Sequence, residues 1–169
     1  MGLGKNDALG IPRGINRGSK LVVAASTAPN GTTNTQVLRF TDVLENSLGG
    51  AAEFLRDVAL GDRVAIKVSG IYCLSSSMTG GASFATGIFK NLESTTRAYL
   101  TLGAAGVFGN APATNKNGCL VFAFGNGTIE AKACSITTWL TSGDIIWFIA
   151  NTNPPTDSLM ASVEYLGGT

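Results

Sequence analysis

An all-β sandwich or barrel is the fold class this sequence predicts, and three observations carry the prediction. About nine or ten short runs alternate apolar and polar residues at the two-residue period of a strand. Turn signals punctuate them, the strongest being Gly125-Asn126-Gly127 between two such runs, a hairpin signature. No segment carries the apolar spacing of a long helix, and no repeat at a period of about 20–50 residues points to a solenoid or propeller.

The elements follow in order. Residues 1–20 hold Gly2, Gly4, Gly10, Gly14, Gly18 and Pro12, which predicts no regular structure. Leu21 to Ala25 is a short apolar run closed by Ala28-Pro29-Asn30-Gly31, a turn in which Asn-Gly suits positive φ. From Thr35, Val37, Arg39 and Thr41 alternate with Leu38, Phe40 and Asp42, followed by Val43 and Leu44, consistent with one strand. Residues 51–60, AAEFLRDVAL, have helix-forming residues in a β context and are read as a strand or an extended loop. Arg63 to Ser69 alternates strictly and is expected to run through Gly70 into Ile71–Met78. After Gly80-Gly81 come Ser83–Lys90, Arg97–Leu102, Cys119–Phe124, Thr128–Leu140, Asp144–Ala150 and Leu159–Leu166. The longest intervening loops are 103–118 and 151–157.

Composition narrows the chemistry. The chain has 169 residues, one domain plus an appendage, and only 14% of them are charged beside 44% hydrophobic. About 25% charged is usual, so the balance predicts surface hidden against copies of the chain or a partner. There is no His, which removes Ser-His-Asp and Cys-His sites, His zinc ligands and an imidazole switch. Cys73, Cys119 and Cys134 form no CxxC pair; they read as reduced structural thiols, with one disulfide left open. Gly103 to Gly109 has the wrong spacing for a nucleotide-binding loop. Ser75-Ser76-Ser77 has no activating base at hand, and the acids do not cluster. The sequence therefore predicts no enzyme, no cofactor and no metal.

Charge is unevenly spread. Residues 1–40 hold five bases against one acid, a net +4, and the remainder nets −3. This predicts a basic, Gly-rich arm over residues 1–34, with Lys5, Arg13, Arg17 and Lys20 docking on an acidic partner, and a body over 35–169. The bases stand three or more positions apart with no aromatic among them before Phe40, so nucleic acid is not the expected partner. No apolar run nears the length of a membrane-spanning helix. The start, MGLGKNDALGIPRG, lacks a signal-type apolar stretch, and synthesis in a host cytoplasm is expected.

From Thr35 onward several signals come as an ordered set. Arg39-Phe40 with Val43 and Asn46 is followed by Gly70-Ile71-Tyr72, Lys90-Asn91, Leu140 with Gly143-Asp144, and an apolar stretch from Ala161 to Leu166. Over roughly 130 residues this resembles the tumour necrosis factor and complement globular-head family of jelly rolls. The last strand departs from the family, having Met160-Ala161-Ser162-Val163-Glu164-Tyr165 where a Phe-Ser-Gly-Phe run is usual. The resemblance implies a roughly ten-stranded jelly roll whose inner sheet packs around a threefold axis. A homotrimer follows as an expectation, with Tyr72, Trp147, Phe148 and Tyr165 as axis or core residues. Gly70 is expected where two backbones pass closely.

In style, with few charges and Thr- and Asn-containing loops, the chain also resembles trimeric head-decoration or head-fibre proteins of tailed bacteriophages. That implies a non-enzymatic cement protein on a virion surface, its partner the major capsid protein or another virion protein. Two alternatives stand beside it: the tip of a phage tail fibre binding a receptor or host-surface glycan through loops such as 103–118 and 151–158, and a bacterial jelly-roll interaction protein.

Overall fold

Alternation along the chain becomes alternation of burial in the strands at Leu21–Ala24, Ile71–Thr79, Ala131–Leu140 and Leu159–Gly167. In the computed structural model, which describes residues 17–25, 36–57, 61–80, 84–91, 118–125, 130–150 and 159–168, every element is a strand. In order these are β1 (Ser19–Ala25), β2 (Gln36–Val37), β3 (Asp42–Asn46), β4 (Ala52–Leu55), β5 (Arg63–Ile66) and β6 (Gly70–Gly80). Then follow β7 (Phe84–Lys90), β8 (Cys119–Gly125), β9 (Glu130–Leu140), β10 (Ile145–Ala150) and β11 (Leu159–Gly167). They form two antiparallel sheets. The first runs β3-β1-β11-β6-β9; the second runs β4-β5-β10-β7-β8, with β2 also on β10. Most connections carry the chain from one sheet to the other, which is the wrapping of a jelly roll.

The sheets meet over an apolar core. Leu21, Val23, Tyr72, Leu74, Val163 and Tyr165 come from the first, and Val64, Ile66, Ile88, Ile146 and Phe148 from the second. Each such side chain, fully buried, is worth about 1.5–3 kcal/mol against exposure. Phe40 joins them edge-on to Phe148, with ring centroids 5.8 Å apart, and Tyr72 packs on Tyr165 at 5.1 Å. Ser76 and Thr86, polar and buried, bring their hydroxyls to 2.7 Å and satisfy one another across the core.

Three expectations change, and one left open resolves. The stretch from Val37 to Leu44 is not one strand: β2 lies on β10, β3 lies on β1, and the chain crosses the core between them at Leu38 and Phe40. Likewise β5 and β6 are not continuous. The chain changes sheet over 67–69, where Lys67 N–H and Val68 N–H both donate to Ala51 O at 2.9 and 3.1 Å. Within 51–60, left open between strand and extended loop, residues 52–55 are strand. The third correction is larger. Residues 17–25 are not part of an arm, because β1 lies between β3 and β11 with Leu21 and Val23 fully buried. Its cross-strand partners Val163 and Ala161 supply the apolar face it needs. The expected strand at Arg97–Leu102 and the loops 103–117 and 151–158 lie outside the described residues.

Candidate self-association surface

Because side chains alternate across a strand, every core residue of the first sheet fixes an outward neighbour. On β6, Tyr72, Leu74, Ser76 and Met78 face the core, so Ile71, Cys73, Ser75 and Ser77 face out. Register then aligns the outward positions into rows. Ser77 stands between Met160 and Ala133; Ser75 stands between Ser162 and Ser135; Cys73 stands between Glu164 and Thr137. A fourth row sets Ile71 against Trp139 and Gly167. On β1, Lys20, Val22 and Ala24 extend the first three rows.

This face is unusual for one open to water. Across the outward positions of β1, β11, β6 and β9 only Lys20 and Glu164 carry charge. Lys20 is already engaged by Glu45 at 3.2 Å. The remainder is small, hydroxylic or apolar, and the large apolar side chains stand well out: Trp139 is 47% exposed, Met160 46%, Ile71 and Leu166 37% each. The outward side of the second sheet differs. Its Trp147 is nearly buried beneath the Arg63 guanidinium, 5.4 Å from the ring centroid, and strand β4 pairs Glu53 with Lys67 of the adjoining turn at 2.8 Å.

The expected site residues are distributed as follows. Tyr72, Phe148 and Tyr165 belong to the core between the sheets, and Trp147 to the outward side of the second sheet; none reaches the outward face of the first. The Tyr72 hydroxyl lies 2.7 Å from Val68 O and 2.9 Å from Ala51 O, sharing one proton between two carbonyls. Burial, and secondarily Tyr165 beside it, raise its pKa well above the ordinary tyrosine value. Of the docking residues, Lys5 and Arg13 lie outside the described residues. Arg17 rests its guanidinium against Gly167, and Lys20 is held by Glu45. Without those two bases, residues 1–16 keep Lys5 and Arg13 against Asp7, a net +1 in place of the +3 of residues 1–34. Trp139, Met160, Ile71 and Leu166 were not singled out from sequence. The signal for them was present, since each sits one step from a core residue in an alternating strand.

The remaining polar clusters bind the fold together. Asp144 accepts from Thr141 N–H at 2.9 Å and from the Asn91 amide at 2.7 Å, with Lys90 Nζ 3.5 Å away. Asn91, at φ 54°, also accepts from Ile145 N–H through Oδ1 at 2.7 Å. Burial opposes ionisation of Asp144, but those donors and the Lys90 charge outweigh it, and its pKa falls below the ordinary value. Asp62 is buried and accepts from Phe40 N–H at 2.8 Å, with Arg56 Nε at 3.8 Å. All three cysteines are free thiols; burial raises Cys119, and burial with Cys119 nearby raises Cys134 to about 11. Among the described residues no three His, Cys, Asp or Glu side chains converge as metal ligands.

No family model matches the chain, and no curated protein matches it. Solved structures do. Murine APRIL at pH 8.5 superposes with a TM-score of 0.55 at 15% identity, covering 88% of this chain and 99% of that one. Murine APRIL at pH 5.0 gives a TM-score of 0.54 at the same identity and coverage. The fold is a tumour necrosis factor-like jelly-roll β-sandwich.

Proposed function

We propose that this chain is a non-enzymatic structural protein that assembles as a homotrimer through the outward face of β1, β11, β6 and β9. One observation carries the reading: that face presents four exposed large apolar side chains and only one charge not already ion-paired, Glu164. Water-facing sheets normally alternate core residues with charged ones; a face with small, hydroxylic and apolar residues has the composition of an interface core. The threefold count comes from the family resemblance, in which one sheet of the sandwich packs around a threefold axis. The low charge of the whole chain supports it, since three copies cover surface that a lone copy would leave to water.

Within that reading the role is architectural: a cement or head-fibre protein on a bacteriophage capsid, its partner the major capsid protein or another virion protein. Its support is compositional, and attachment through residues 1–16 now rests on Lys5 and Arg13 alone. Two measurements separate the layers. Sedimentation of Trp139→Glu and Met160→Glu variants tests assembly, and both are expected to shift toward monomer while keeping the wild-type circular dichroism. Co-sedimentation with undecorated heads tests the virion role. Binding to host cells or polysaccharide without binding to heads would replace decoration by a tail-fibre tip.

A further inference from the structure

The middle of the proposed interface is not apolar. Ser162, Ser75 and Ser135 stand in register on three neighbouring strands and point out of the sheet together. Ser75 Oγ and Ser162 Oγ are 2.7 Å apart, so one hydroxyl donates to the other. The pair holds two protons and that contact uses one. An O–H and several lone pairs remain for whatever covers the row. Val22 continues the row on β1, Met160 stands in the next row on one side, and Ile71 and Trp139 stand beyond the Glu164-Cys73-Thr137 row on the other. The attraction of these apolar side chains for another apolar surface is non-directional and tolerates sliding or rotation.

We infer that the Ser162-Ser75-Ser135 row specifies the stoichiometry and register of self-association, while the apolar side chains supply its strength. This deepens the homotrimer reading and rests on it. A hydroxyl both donates and accepts, so hydroxyls of like rows brought together at a threefold axis, or other hydroxyls of the neighbouring copy, satisfy it, which a carboxylate or an ammonium group facing its own kind would not. Docked arrangements that bury the row against apolar surface strip its water without replacement and are disfavoured. Those that bring hydroxyl to hydroxyl, or to a polar group, survive. A single polar position inside an apolar helical interface selects one oligomeric state by the same logic, at some cost in affinity.

The test uses the full chain and its Ser75→Ala/Ser162→Ala double variant, with native mass spectrometry and sedimentation velocity over a range of concentration. The wild type is expected to give one assembled species. The double variant is expected to associate at least as tightly yet lose that single stoichiometry, spreading over several. Ser75→Thr, which keeps the hydroxyl, is expected to preserve the single species, and Ser135→Ala to broaden it partially. A double variant that remains one clean trimer overturns the inference and leaves the homotrimer reading standing. One that no longer associates also overturns it, by making the hydroxyls the driving force. A monomeric wild type brings down both.

Discussion

Gly70 shows how one residue joins two parts of the fold. A Cβ built there would lie 2.6 Å from Tyr165 Cε2 and 2.8 Å from Gly167 O, closer than side chains and backbone tolerate. Gly70→Ala is therefore expected to cost about 1–3 kcal/mol, read as a lowered urea midpoint, because either Tyr165 or the end of β11 must move. Gly143 contrasts with it: nothing lies within 4 Å, but its φ of +98° strains any other residue. Asp144 supplies a pH dependence. Its folded pKa lies below its unfolded value, so its contribution is complete above the ordinary carboxylate range and is lost as pH falls through the depressed value. Wild type and Asp144→Asn should differ most in stability near pH 7, and their urea midpoints should draw together as pH falls below the ordinary carboxylate range. A constant gap would show that Asp144 acts only as a shape.

At the scale of elements, β1 separates what was legible in the sequence from what was not. Leu21 and Val23 already alternated, but a five-residue run between a glycine-rich stretch and the Pro29-Asn30-Gly31 turn reads as part of a tail. Only its long-range partners, Val163 and Ala161 on β11 and Val43 on β3, make it an internal strand. The Lys90-Asn91 and Gly143-Asp144 signals were legible as an ordered pair. Their meeting, a 2.7 Å contact between Asn91 and Asp144 across 53 positions, was not, because nothing local encodes it. Sheet switches at 38–41 and 67–69 were hidden for a similar reason: alternation continues through them while the neighbours change. The outward face was in principle readable from the same alternation, but aromatic residues drew attention inward to Tyr72 and Tyr165. Deletion of residues 1–16 is expected to leave a cooperative thermal transition by circular dichroism. Deletion of residues 1–34 is expected to abolish it, because β3 and β11 lose the strand between them.

For the whole molecule, the first sheet has two sides with two uses, core on one and, in the proposed trimer, assembly on the other. The thiols report on both. Cys73 is half-buried on the outward face, whereas burial raises the pKa of Cys119 and Cys134 and suppresses their thiolates. With an aromatic disulfide reagent Cys73 should react first and Cys134 last, and the Cys73 rate should fall as protein concentration rises into the assembled range. A Cys73 rate independent of concentration would mean that the face stays open. The most direct test of the central claim is the mass of the wild-type chain in solution by sedimentation equilibrium at micromolar concentration. Three times the chain mass of 17.3 kDa is expected, falling toward one in Trp139→Glu. A clean 17.3 kDa species for the wild type would contradict it.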